Sequence, residues 1–220
     1  MSDGFEQMVD EALQFFGELE ANNKKPFYEA NKARYASAIR KPAELFADLV
    51  AEDLNRLTGM SHKPKVFRIH RDVRFSKDKT PYNTHLHLMW SPPGADPVVP
   101  IWFWGLAKSY FIIGMGIAGL KGDWLTRYRQ MIDDAGDEIA QALDHIGSDA
   151  DASLSDWGAV PLKRVPKPYD QDHCHADLLR RKSLVVNAPL PSDWRETGLV
   201  RATNARMAQL MPLYSALIRD

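Results

Sequence analysis

A chain of 220 residues and 24.9 kDa, 45% hydrophobic and 26% charged, has the composition of a soluble globular protein with a sizeable core, and one two-layer domain could use the whole length, residues 1–220. The single Cys174 excludes an internal disulfide and suits a reducing cytosol. A net charge of −1 and a pI of about 6.7 differ from the basic footprint of a nucleic-acid binder, and no charged leader followed by an apolar run opens the chain.

Residues 3–20 carry Phe5, Met8, Val9, Ala12, Phe16 and Leu19 at helical spacing with Asp3 placed as N-cap, which predicts an amphipathic helix interrupted by Asn22-Asn23. Pro26 suits the first turn of a second helix running to about Arg40. A third is predicted from Pro42, with Leu45, Phe46, Leu49, Val50, Leu54 and Leu57 as its apolar face and Gly59 as its stop. From Phe67, alternation of Phe67, Ile69, Val73 and Phe75 with polar residues predicts a half-buried strand. Thr80-Pro81 forces an extended or turn geometry, and Leu86, Leu88 and Trp90 resume an alternating strand that Pro92-Pro93-Gly94 ends.

Val98–Trp104 and Tyr110–Met115, joined by residues 105–109, give the best hairpin signal in the chain. The apolar stretch Val98–Leu120 that contains it is broken by Lys108, Ser109 and glycines, so it reads as paired strands and not a membrane span. Both faces of the hairpin are apolar, which makes it a candidate dimer or partner surface. A helix is predicted from Asp123, as cap, to about His145, carrying Leu125, Tyr128, Ile132, Ile139 and Leu143. Residues 147–158 read as an acidic loop. Residues 162–169 form an extended basic segment, 176–181 a short helix, 183–188 a strand and 203–218 a closing helix with Met207, Leu210, Met211, Tyr214 and Leu217 on one stripe. The fold predicted is α+β: an antiparallel sheet of about four to six strands packed against helices from both chain ends.

The chemistry concentrates between Lys63 and Lys79, where seven basic residues meet two acidic ones, a local +5 that leaves −6 on the remainder. Eight acidic residues and no Lys or Arg lie between Asp133 and Asp156. One focused positive site on a mildly acidic body suits a small anion better than a long polyanion. Arg68, Arg71, Arg74, Ser76, Lys77 and Lys79 are the candidate ligand-binding residues, since guanidinium forks grip phosphate or carboxylate oxygens and lysines add charge. His70, Asp72 and Tyr82 are the candidate acid or base groups. Arg71 shares the register of the hydrophobic set, so its guanidinium requires an internal or a ligand partner. The bland reading of the block is a structural ion-pair lattice tying Asn23, Glu29 or Asn31 to the sheet.

His85-x-His87 with His70, or His173-Cys174-His175, could supply metal ligands, but no carboxylate stands at a compelling spacing, and neither a metal nor a cofactor is predicted. No phosphate loop, nucleophile elbow or zinc-protease helix names a reaction.

The run Phe-Arg-Ile-His-Arg-Asp-Val-Arg-Phe-Ser-Lys-Asp-Lys-Thr-Pro-Tyr from Phe67, with Asn22-Asn23-Lys24, residues 29–35, residues 162–167 and residues 179–184, resembles the bacterial and fungal family of a domain of unknown function, DUF2461. Phe27 stands where that family usually has Trp and Asn83 where it usually has Lys. The resemblance spans most of the chain and implies a shared fold without implying an activity. The reading that results is a cytosolic protein, enzyme or not, that holds a small anion, a phosphorylated one being the expectation. The alternative is an interaction protein contacting partners, or a second copy, through the hairpin at 98–115.

Overall fold

The computed structural model describes residues 4–94, 96–155 and 160–218. Its secondary structure begins with helices α1 (Glu6–Ala21), α2 (Lys25–Arg34) and α3 (Lys41–Thr58), continues through strands β1 (Lys63–Val66), β2 (Leu86–Ser91), β3 (Ile101–Ala107) and β4 (Tyr110–Ile117), and reaches the long helix α4 (Gly122–Ala150). There follow β5 (Ser153–Leu154), α5 (Ala176–Leu179), β6 (Leu184–Pro189), α6 (Trp194–Thr197) and α7 (Leu199–Leu217). The protein is α+β, with helices from both ends of the chain and one antiparallel sheet of order β1-β2-β3-β4-β6-β5. The chain divides into two compact units: Met1–Trp90 with Phe103–Ile113 and Leu190–Ala205, and Ser91–Trp102 with Gly114–Pro189 and Arg206–Asp220.

In the first unit, α1 buries Met8, Val9, Ala12, Phe15, Phe16 and Leu19 as the periodicity predicts. Its N-cap position is Phe5, and Asp3 lies outside the described residues. Pro26 and Pro42 both stand in first helical turns. Between them the chain does not break but widens into a π-helical turn, Tyr35–Arg40. A proline inside a regular helix clashes with the carbonyl four residues back, and a widened turn before Pro42 relieves that clash.

Helix α3 turns a different face inward from the one predicted. Ala43, Ala47 and Ala51, four residues apart, are buried with Phe46, Val50 and Leu54, whereas Leu45, Leu49 and Leu57 face outward. Small side chains permit close approach: the Trp90 indole N–H donates to the Ala47 carbonyl at 2.8 Å, and the Phe46 and Trp104 rings lie 5.4 Å apart. Aromatic contacts continue from Trp104 to Phe111 at 5.1 Å and on to Trp194 at 5.5 Å. The hairpin tryptophans are therefore core. Trp102 is 0% and Trp104 1% exposed, so neither belongs to a contact surface. The hairpin turn itself is the two residues Lys108-Ser109.

In the second unit, β5 pairs antiparallel with β6, Ser153 opposite Asn187 and Leu154 opposite Val186. Glycine is required at 116 in β4, because a Cβ there would lie 2.0 Å from the Leu184 carbonyl oxygen and the residue holds φ +147°. Helix α4 starts at Gly122 after an extended Lys121, so Asp123 sits in its first turn and not at the cap. The helix runs on through Gly147 to Ala150, past the predicted loop boundary, carried by buried Ile146 and Ala150. It kinks at Ala135, beside Gly136. Helix α7 begins four residues earlier than predicted and buries Met207, Leu210, Leu213, Tyr214 and Leu217. No helix among the described residues is long and apolar enough to cross a membrane.

Candidate functional site

The segment Phe67–Phe75 is not a strand. Beyond β1 and β2 the chain continues as two arms, residues 67–71 and 81–85, held by a broken ladder. The Phe67 N–H donates to the His87 carbonyl at 2.9 Å, the Asn83 N–H to the Ile69 carbonyl at 2.7 Å and the Arg71 N–H to the Pro81 carbonyl at 2.9 Å, and His70 bridges Tyr82. Pro81 has no N–H to return, and the Tyr82 N–H is taken by Asn23 Oδ1 at 3.1 Å. With no bond returned from Pro81 to Arg71 the ladder ends, residues 72–80 close a loop, and Phe75, assigned by alternation to the apolar face, is 96% exposed.

Two features hold the arms. Asn23, just before α2, also donates its amide to the Tyr82 carbonyl at 2.9 Å, so one side chain satisfies both backbone groups of Tyr82. The Tyr82 ring, 4% exposed, stacks on Tyr28 of α2 at 4.5 Å, and the His70 ring meets both tyrosines edge-on at 5.2 Å. Burial, with the charge of Glu29 adding to it, pushes the Tyr82 phenol above its ordinary pKa, so it remains protonated at neutral pH.

Two shallow clefts open on this region and share Arg68 and His70. The larger, about 290 Å³, is lined by Phe67, Arg68, His70, Arg71, Asp72, Asn83, His85 and His87. The smaller, about 260 Å³, extends over Tyr28 and Tyr35 of the helical layer.

Of the candidate ligand-binding residues, the larger cleft collects Arg68 and Arg71 and leaves the rest outside. Arg71 turns one nitrogen, Nη1, to Asp78 Oδ2 at 2.5 Å, to the Thr80 carbonyl at 3.1 Å and to the Thr80 hydroxyl. Asp78 is held at a pKa of about 2, first by the Thr80 backbone N–H and then by Arg71 and the Thr80 hydroxyl. Arg74, 76% exposed along its side chain, forms a forked pair with Asp72 at 2.9 and 2.6 Å. That pair keeps the Asp72 carboxyl below its usual range. Lys79 donates to the carbonyls of Val73 and Arg74 at 3.0 and 3.5 Å, stiffening the loop, while Ser76 and Lys77 lie on the same loop away from either cleft. Arg68 differs from all of these. Its guanidinium has no hydrogen bond or ion pair among the described residues. Of the candidate acid and base groups, His70 and Asp72 line the larger cleft and Tyr82 lines neither.

Two cleft residues that the sequence offers as metal ligands or as ordinary surface or core histidines are not assigned to the anion site by residue type. His85 and His87, two apart on one strand face, stack at 3.8 Å. His87 Nε2 shares a hydrogen bond of 2.7 Å with the hydroxyl of Tyr110. Burial, then the neighbouring His85, lowers the His87 pKa to about 4, and burial with the charge of Arg71 lowers that of His85. Both rings are therefore neutral at pH 7 and present hydrogen-bonding groups without adding charge. The signal was the His-x-His spacing itself, which is as good for stacking as for chelation. Among the described residues no group of three or more His, Cys, Asp or Glu side chains is arranged to hold a metal.

The other histidine cluster is a clip within the second unit. His173 Nε2 reaches Asp133 at 3.0 Å and His175 Nε2 reaches Asp137 at 2.9 Å, with His175 lying across Gly136, where a Cβ would stand 2.2 Å from the ring. Cys174 between them is exposed, its Sγ 4.0 Å from His173 Nδ1.

Among known proteins, no curated relative matches the chain. The model of one family, described as Conserved hypothetical protein (DUF2461), matches residues 11–215 and so includes both arms, the loop between them, Asn23 and the cleft histidines. The chain belongs to the DUF2461 family of conserved hypothetical proteins.

Proposed function

We propose that this protein binds a small anionic, phosphorylated ligand in the cleft headed by Arg68 and Arg71, in a reducing, cytosolic setting that its lone exposed Cys174 suits. The observation that carries this reading is the state of the cations. Arg74 is neutralised by Asp72 and Lys79 is spent on loop carbonyls, whereas the Arg68 guanidinium is hydrogen-bonded to nothing among the described residues and feels Asp72 only through its charge, and Arg71 has only Nη1 engaged. A guanidinium fork at a concave site is the side chain best matched to phosphate oxygens. Neutral His85 and His87 and the amide of Asn83 supply further donors to the same cleft. His70, which lines both clefts, is the residue best placed to exchange a proton with a bound ligand.

The lattice reading accounts for part of the block, since Asp72–Arg74 and Arg71–Asp78 are internal pairs, but it leaves Arg68 unexplained. The hairpin reading loses its tryptophans to the core.

The test is a thermal-shift screen against phosphate, sugar phosphates, nucleotides, carboxylates and divalent metals, repeated with Arg68→Gln. A ligand at a hundredfold excess over its dissociation constant stabilises the native state by about 2.7 kcal/mol. The expected result is an anion-selective rise in melting temperature that Arg68→Gln removes. A rise that survives Arg68→Gln, or a response to metals alone, contradicts the assignment.

A further inference from the structure

The smaller cleft has a chemistry of its own. Its floor is Tyr28 and Tyr35, its polar groups are Lys32, Arg40 and Arg68, and no carboxylate lines it. Arg40 is engaged by Glu44 at 2.6 Å and by the carbonyls of Val66 and Phe67 at 3.1 and 3.2 Å. Lys32 is exposed and, like Arg68, has no hydrogen-bond or ion-pair partner among the described residues. Lys32 and Arg68 thus stand in one concavity, each without a hydrogen-bonded partner among the described residues, and Arg68 also lines the other cleft.

Size points the same way. At about 290 and about 260 Å³, each cleft alone falls just short of the roughly 300–1,000 Å³ usual for a small-molecule site, and both are lined by Arg68 and His70. We infer that the site takes a ligand with two anionic groups, one held by Arg71 and Arg68 and the other by Lys32 and Arg68, its body lying across His70 and the tyrosine floor. This rests on the anion reading above and adds to it the ligand class, a bisphosphorylated small molecule. Lys32 then discriminates between mono- and dianionic ligands without taking part in holding the first group.

The test is isothermal titration at constant ionic strength with inorganic phosphate, hexyl monophosphate and a series of alkanediol bisphosphates from ethane to octane, on the native protein, Lys32→Gln and Arg68→Gln. At least one bisphosphate is expected to bind about tenfold or more tighter than hexyl monophosphate, because the second contact is made at high effective concentration. Lys32→Gln should abolish that gain, so that bisphosphate and monophosphate bind alike, and Arg68→Gln should weaken both classes. Lys32 is exposed, so its replacement leaves the fold intact. Monophosphate binding with no gain from any bisphosphate, or a gain that survives Lys32→Gln, overturns this inference alone. Failure of every phosphate to bind overturns the anion reading and this inference together.

Discussion

At the scale of residues, the difference between Arg68 and Arg74 is one of partners. Each stands among polar residues of the same basic run, yet Arg74 bonds forkwise to Asp72 two positions away, while Arg68 makes no hydrogen bond or ion pair through its guanidinium among the described residues and acts on Asp72 only through its charge. Exposed pairs such as Arg74–Asp72 contribute little to stability. Arg74→Ala should therefore leave the urea denaturation midpoint nearly unchanged and anion affinity within a few-fold, as urea titration and calorimetry can check. His87 gives a pH prediction. Its pKa is about 4 in the fold against about 6.5 in an unfolded chain, so the unfolded state binds the extra proton between those values. The stabilising contribution is complete above pH 6.5 and is lost as pH falls toward 4. His87→Phe should flatten that part of the stability–pH curve by about 2 kcal/mol, allowing for the partial exposure of the ring; an unchanged slope would mean that His87 is not held neutral.

At the scale of elements, the arms carrying the site depend on a single side chain of the helical layer. Asn23→Ala leaves both backbone groups of Tyr82 without their partner, and a loss of about 2 kcal/mol is expected in chemical denaturation, with the Tyr28–Tyr82 stack loosened. Gly116→Ala should cost several kcal/mol or prevent folding, since the added Cβ meets backbone that cannot move aside.

Most elements were legible because they bury one face. The alternation of Leu86, Leu88 and Trp90 and the stripe of α1 report the core directly. Three things were not legible. Alternation at 67–75 signalled extended backbone, but a strand also needs a partner with a free N–H, and Pro81 has none to return to Arg71. On α3, counting leucines missed the alanines that bring Trp90 against the helix. The basic block showed its charge without its internal pairing: Arg68 and Arg71 reach the cleft, while Arg74, Ser76, Lys77 and Lys79 lie on a loop whose closure depends on Asp72 and Asp78.

At the scale of the whole molecule, charge is unevenly shared. The segment from Lys63 to Lys79 carries +5 in a chain whose net charge is −1. On the proposed function, such a local field would draw small anions toward Arg68, screened within about 8 Å at physiological ionic strength. Phosphate affinity should accordingly fall several-fold as salt is raised from roughly 0.01 to 0.15 M, with the loss smaller in Arg68→Gln. The family match over residues 11–215 includes every residue of the proposed site, so the same titration applies to other members that keep the arginines at these positions.

The measurement that bears most directly on the central claim is a nitrogen–proton NMR titration of the arginine side-chain Nε–H groups with inorganic phosphate. The account predicts a saturable shift of the Arg68 signal, a smaller one for Arg71 and none for Arg74. Movement of Arg74 with Arg68 unchanged, or no saturable shift in any arginine, would contradict it.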